Sequence, residues 1–273
     1  MKYLIGTGIA NPAANNNEAI FIASLGGRTE AVKILLDHHL VDPSDCNNKA
    51  VRAAADGNHT DVLELLLQCS KVNPSVRKNS ILHTMVVRGN VGIAQMILQH
   101  PKVNPLNFDF IFWECLRNGQ GEAAELILQT PMFDIINGNS ALRLASKKGC
   151  VGVVKLLLTN PRVYPADKNN DALRQASIMG YTEVVKCLLS DHRVKSTVNI
   201  SEILFVASKF GNDKVVKFLL DCDDIDLQNS VIERAFQQAS SRCHTKVVEV
   251  LRADPKNRIQ NVEVIDKGRY YTN

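Results

Sequence analysis

Apolar residues recur along the chain as pairs of short stripes, and the pair between Asn139 and Tyr164 shows the pattern most plainly. Ala141, Leu142 and Ala145 form one stripe. Gly149 interrupts, and Val153, Val154, Leu156, Leu157 and Leu158 form the next. Spacings of i, i+3 and i+4 predict helices that bury one face. The interrupting position returns at Gly27, Asn58, Gly89, Gly119, Gly149, Gly180, Gly211 and Cys243, at intervals of 31, 31, 30, 30, 31, 31 and 32 residues. This predicts eight copies of a helix–turn–helix unit, from about Asn17 to about Ala253. Helices of about 8–10 residues are marginal alone, so each copy must draw most of its stability from its neighbours.

Polar punctuation follows the same period. Two places before the first apolar residue of each copy stand Asn17, Asn48, Asn79, Asp109, Asn139, Asn170, Ser201 and Glu233. All but the last are good helix N-caps, so they are expected to satisfy first-turn amides. After the second stripe come Val41-Asp42-Pro43, Val72-Asn73-Pro74, Val103-Asn104-Pro105 and Val163-Tyr164-Pro165. Proline stops the helix and forces an extended entry to the next loop. The valine is expected to plug the base of that loop while its polar tip projects. Serines recur after the inner alanine, at Ser24, Ser146, Ser177, Ser208 and Ser240, and mark a small-residue packing slot. Copy eight has Cys243 where glycine is usual, as expected of a cap with one uncovered face. Residues 1–16 read as a cap or a flexible segment, residues 17–254 as one solenoid, and residues 255–273 as a tail or end cap.

With these motifs in hand, the chain resembles the ankyrin-repeat family. The fragments A-L-R-L-A-S-x-x-G and G-Y-T-E-V-V-K-C-L-L (Gly180 to Leu189) match the second part of that family's pattern. The T-P-L-H part is mostly replaced, and only Leu82-His83 keeps its Leu-His. The form N-x-A-L-R-x-A-S with V-D-P is closest to variant repeats abundant in giant viruses, protists and some bacteria. The resemblance implies an all-α ankyrin-repeat solenoid of about eight stacked repeats with projecting loops. It also implies a non-enzymatic, cytoplasmic scaffold that binds a partner protein through a concave face built from first helices and loop tips. Host cytoplasm is the setting if the chain is viral or a secreted effector.

Composition fits a thin core of Ala, Val, Ile and Leu: 45% of residues are hydrophobic and only 5% aromatic. The formal charge of +4 is too small to imply nucleic acid by itself. Seven scattered cysteines without a C-x-x-C pair read as reduced thiols, and Cys115, in a small-residue slot, is expected to be buried. No stretch reaches the length of a transmembrane helix, and the amino-terminal apolar run is too short and broken for a standard secretory signal. Histidines do not join cysteines or acids at metal-ligand spacing, and the Gly pairs lack a phosphate-loop lysine. Five equivalent serines mark no single active site. No enzyme, no cofactor and no metal are expected.

Candidate binding residues are therefore those that leave the core. Two places into each first helix stand Phe21, Arg52, His83, Trp113, Arg143, Arg174, Phe205 and Gln237. Just before the hairpin residue, Arg88, Arg117, Lys147, Lys148, Lys209 and Arg242 face a single Asp56. This basic stripe suits an acidic protein partner, with a plain solvated face as the rival. Copy four, F-D-F-I-F-W-E-C-L-R, holds three of the nine phenylalanines and the only tryptophan. Phe108 is expected at an exposed loop tip, with Phe110 and Trp113 as interface anchors. Arg117, Arg143, Lys147, Lys148, Arg174, Ile178 and Met179 complete the expected protein-binding set. Its competitors are an anionic-surface or nucleic-acid binder, an effector adaptor, and a structural spacer. The chain is expected to be a monomer without membrane contact.

Overall fold

The computed structural model describes residues 11–131, 133–222 and 227–254. Of the amino-terminal segment 1–16, read as a cap or a flexible segment, residues 1–10 lie outside the described residues, as does the tail or end cap at 255–273. Among the described residues the ordered elements are all helical, and the chain divides into two compact units, Met1–Ile135 and Ile136–Asn273.

The first unit contains four helical pairs: α1 (Ala14–Leu25) with α2 (Thr29–Leu36), α3 (Asp45–Asp56) with α4 (Thr60–Gln68), α5 (Val76–Val87) with α6 (Val91–Leu98), and α7 (Phe108–Asn118) with α8 (Gly121–Gln129). The second contains four more: α9 (Gly138–Lys148) with α10 (Val151–Thr159), α11 (Asp167–Met179) with α12 (Thr182–Ser190), α14 (Ile200–Lys209) with α15 (Asp213–Asp221), and α16 (Asn229–Ser241) with α17 (Thr245–Ala253). A single turn, α13 (His192–Lys195), lies in the loop after α12. Within each unit, first helices pack on first helices and second helices on second helices of the adjacent pair. The helices are short because only the stack covers their apolar stripes. Val32, Leu63, Leu66, Leu82 and Ile93 in one unit, and Val153, Val154, Leu188 and Val216 in the other, are almost wholly buried. Cys115 is buried as expected, and so are Ser24, Ser146, Ser177 and Ser208.

The repeating turn has a definite backbone form. All eight hairpin positions adopt positive φ, including Asn58 at 56° and Cys243 at 59°. At several hairpins the next copy gives glycine a second reason to be there. A Cβ on Gly149 would sit 2.7 Å from the Tyr181 ring, and one on Gly211 would sit 2.8 Å from His244 Nδ1. Those side chains follow the hairpin residue of the next pair and reach back over the turn. His59 Nε2 lies 3.0 Å from the Leu25 carbonyl, and His244 Nε2 lies 3.0 Å from that of Lys209. Gln120 donates to the Val87 carbonyl at 2.7 Å, and Asn212 donates to the Ser177 and Ile178 carbonyls at 2.6 and 2.8 Å. Each caps carbonyls that the end of a first helix leaves open.

The expected N-cap role of the recurrent asparagines is not what they do. Asn17, Asn48, Asn79 and Asn170 are buried and left-handed, each closing a run of three consecutive positive-φ residues. A residue in that conformation aims its side chain at the next loop instead of at its own helix. Asn48 Nδ2 donates to the Asn73 carbonyl at 2.5 Å, and Asn79 Nδ2 donates to the Asn104 and Leu106 carbonyls at 3.1 and 2.5 Å. Asn17 accepts from the Asp42 amide at 2.8 Å and donates to Asp45 at 3.0 Å. Asn139, inside α9, accepts from the Tyr164 amide at 2.7 Å, and Asn170 donates to Thr197 at 3.2 Å. These asparagines are staples between copies. Among the described residues, the side chains that do cap a helix start in the usual way are Asp191 and Asn199.

The V-D-P loops behave as their residue types require. Val41, Val72, Val103 and Val163 are buried plugs. Asp42, Asn73 and Asn104 each accept the backbone amide two residues on, at 2.9, 3.0 and 3.2 Å, which closes an Asx turn. Basic side chains at the ends of second helices add a third staple. Lys71 donates to the Val41 carbonyl at 3.2 Å, and Arg193 donates to those of Val163 and Leu158 at 3.0 and 2.7 Å.

Candidate binding face

In the first unit, most of the first-helix face is paired internally. The Lys49 ammonium lies 3.8 Å from the centre of the Phe21 ring. Arg52 donates to the carbonyls of Cys46 and Asn47 in its own loop. His83 Nε2 lies 2.6 Å from Glu114 Oε2, and its ring centre is 5.5 Å from that of Phe110. Arg88 pairs with Asp56 at 2.7 Å. Arg117 is exposed and makes no ion pair among the described residues. A shallow groove of about 230 Å³ runs between α3 and α5, edged by Arg52, Asp56, Ser80, Thr84 and Arg88.

The aromatic cluster of copy four divides in a way that corrects the expectation for Phe108. Phe108 is 1% exposed, because α7 starts at it and the left-handed Asn107 turns the chain inward. Its ring packs 6.5 Å from Phe133, and Phe112 packs 5.3 Å from the same ring. Phe133 stands where other copies have the valine plug, and the two rings fill the space around it. Phe108 is therefore a core residue and leaves the binding set. Trp113 is half-buried with its edge against Phe112, 5.9 Å between centres. Phe110 is 52% exposed.

In the second unit, Arg143 is half-buried. It binds Asp167, lies 3.9 Å from Asp171, and donates to Ser140 at 2.9 Å. Arg174 takes the other side of Asp171 at 2.7 Å. Both guanidiniums thus have acids of this chain as partners. The Arg234 guanidinium lies 5.3 Å from the Phe205 ring. Beside that pair runs a groove of about 240 Å³, lined by Asn199, Ser201, Glu202, Phe205, Val231 and Arg234.

The ends of the first helices differ from this. Lys147 and Lys148 are exposed and make no ion pair among the described residues. Ile178 is half-buried, whereas Met179 and Phe210 are 46% and 47% exposed. Lys209 Nζ lies 5.8 Å from the Phe210 ring centre, and Arg242 is exposed. Arg242 belongs to the basic stripe that the sequence predicts, and Phe210 occupies the same place in copy seven as Lys148 and Met179 in copies five and six, outside the expected protein-binding set.

The ionisable groups with resolved shifts serve structure. The Arg193 side chain bonded to Asp191 holds that carboxyl below the usual carboxylate range, against the opposing effect of burial. Hydrogen bonds from the Asn17 side chain and the Cys46 amide do the same for Asp45. Burial pushes the Cys150 thiol up, away from the reactive thiolate. Among the described residues, no group of three or more His, Cys, Asp or Glu is arranged to hold a metal ion, and no helix is long and apolar enough to cross a membrane.

A family model described as ankyrin repeats matches the sequence in three stretches, residues 1–78, 22–109 and 111–200. A search of curated proteins gave no match. The matched stretches cover most of the sequence, and the left-handed hairpins, short helical pairs and loop plugs recur in step with them: the chain belongs to the ankyrin-repeat family.

Proposed function

We propose that this chain is a non-enzymatic scaffold that holds a partner protein against its first-helix face and loop tips. The ankyrin-repeat family works in general as a protein–protein interaction scaffold and is non-catalytic. One observation supports placing the contact on that side. Among the described residues, the large apolar side chains left exposed are Ile22, Leu25, Val87, Phe110, Met179 and Phe210 at first helices or their ends, and Leu40, Leu106, Ile136 and Tyr164 in loops. None lies on a second helix, where Lys33, Glu64, Gln95, Lys155, Lys186 and Lys217 take the exposed places. Single exposed apolar residues are ordinary, but among the described residues their absence from the second helices supports a contact on the first-helix side.

The exposed cations Arg117, Lys147, Lys148 and Arg242 favour an acidic partner surface. Nucleic acid is disfavoured, because Arg88, Arg143 and Arg174 already have acids of their own. The variant form of the repeats supports an adaptor working in a cytoplasm, that of a host included.

The test is affinity capture with the full chain and two charge-altered forms. One carries Phe110→Glu, Met179→Glu and Phe210→Glu, and the other carries Lys33→Glu, Lys155→Glu and Lys217→Glu. The reading expects the first to lose captured proteins and the second to retain them. Retention by the first with loss by the second would move the contact to the outer helices.

A further inference from the structure

Aligning the copies of the second unit places one residue per copy in a row: Lys148, Met179, Phe210 and Arg242, each at or just beyond the end of its first helix. Helices α9, α11, α14 and α16 pack side by side in that order, so the four residues are neighbours along the stack. The two middle members are apolar and nearly half exposed, and the two outer members are exposed cations without an ion pair among the described residues. The adjoining row of Lys147, Ile178 and Lys209 repeats the mixture, with Lys209 beside the Phe210 ring. The first unit has Gly26, Gly57, Arg88 and Asn118 in the same places, and its arginine is engaged by Asp56. The row is therefore a property of copies five to eight alone.

We propose that this row is a docking site for an acidic, extended peptide segment of a partner protein, a deepening that rests on the scaffold reading above. Packed helices stand about 8–10 Å apart, and an extended polyproline-II segment advances about 3.1 Å per residue with about three residues per turn, so every third side chain faces the row about one copy further on. The row then selects two apolar residues three apart, to lie on Met179 and Phe210. An acid three residues outside each of them meets Lys148 and Arg242. The pattern is acid-x-x-apolar-x-x-apolar-x-x-acid, and its palindromic form lets the segment bind in either direction. Carboxylates at the ends are recognised by charge, and the apolar pair is recognised by the desolvation of two large side chains. Flanking lysines Lys147 and Lys209 reject a basic segment of the same spacing.

A random-peptide display library selected on the full chain, followed by titration of the selected peptide, tests this. The expected consensus has two apolar residues three apart with acids outside them. Met179→Ala and Phe210→Ala each weaken the selected peptide by about 30-fold, as expected for loss of a central anchor. Lys148→Glu with Arg242→Glu weakens it and reduces its salt dependence, whereas Lys155→Ala, at an exposed place on a second helix, leaves it unchanged. The four exposed side chains carry little of the fold, and an unchanged circular dichroism spectrum verifies that for each variant. A consensus without acids, a different spacing, no enrichment, or equal affinity for a single-stranded oligonucleotide overturns the proposal. Capture of partner proteins that depends on the first-helix face but not on this row would overturn the row while leaving the scaffold reading standing.

Discussion

Asn79 offers the sharpest test of how the copies are joined. Its side chain is fully buried, and its amide donates to two carbonyls of the next loop, those of Asn104 and Leu106. Alanine there removes both bonds, at about 1 kcal/mol each. It also places a Cβ-bearing residue without a polar side chain at φ 58°, which costs about 1 kcal/mol more than glycine would. Asn79→Ala is therefore expected to destabilise by about 3 kcal/mol and Asn79→Gly by about 2 kcal/mol. Asn47→Ala is the control for the backbone alone, since Asn47 is left-handed but exposed. Urea unfolding followed by circular dichroism reads the differences as shifts in midpoint, provided the slope is unchanged. Equal losses for Asn79→Ala and Asn47→Ala would refute the staple. A glycine variant less stable than the alanine one would refute the left-handed backbone.

The glycine turns make a paired prediction: Gly89→Ala meets open space and loses only about 1–2 kcal/mol of backbone energy, whereas Gly211→Ala also displaces His244 from the Lys209 carbonyl and loses about 1 kcal/mol more. Equal thermal midpoints for the two would contradict the role given to His244. In the aromatic cluster, Phe108→Ala is expected to lose about 3–5 kcal/mol and Phe110→Ala less than about 1 kcal/mol, measured by urea unfolding. The reverse order would return Phe108 to the surface. Asp191 gives the pH prediction. Its folded pKa lies below the unfolded value of about 3.9, so its contribution is present above about pH 4 and is lost as pH falls through the folded pKa. The stability difference between wild type and Asp191→Asn should shrink on acidification, and a constant difference from neutral to strongly acid pH would exclude the Arg193 pairing as its source.

The repeat length, the hairpin positions and the loop plugs were legible in the sequence because each rests on residue type at a fixed period. Asn58 and Cys243 show how far that goes: neither is glycine, yet both take the backbone conformation their register assigns. The recurrent asparagines read in the sequence as N-caps, and the loop carbonyls and amides they bond instead are not legible there. An N-cap and a staple between copies both require an amide near a helix start, and three consecutive left-handed residues decide between them. Phe108 was misplaced for a related reason. Its exposure turned on whether the chain was still in the loop or already helical, and Asn107 ends the loop one residue before it. Arg143 lies in a candidate position by register, but its acids Asp167 and Asp171 come from the following copy, and only the packing of α9 against α11 brings them to it. Residue spacing says of the histidines only that they form no metal site, yet His59 and His244 follow the hairpin residue in equivalent places and hold the same kind of carbonyl.

Site-specific photo-crosslinking addresses the binding face most directly. A photoreactive phenylalanine analogue placed at Phe110, Met179 or Phe210 reports the first-helix side, and the same group at Lys155, Lys186 or Lys217 reports the second-helix side. In extract containing the partner, adducts are expected from the first three positions and not from the last three. Adducts confined to the lysine positions would contradict the account.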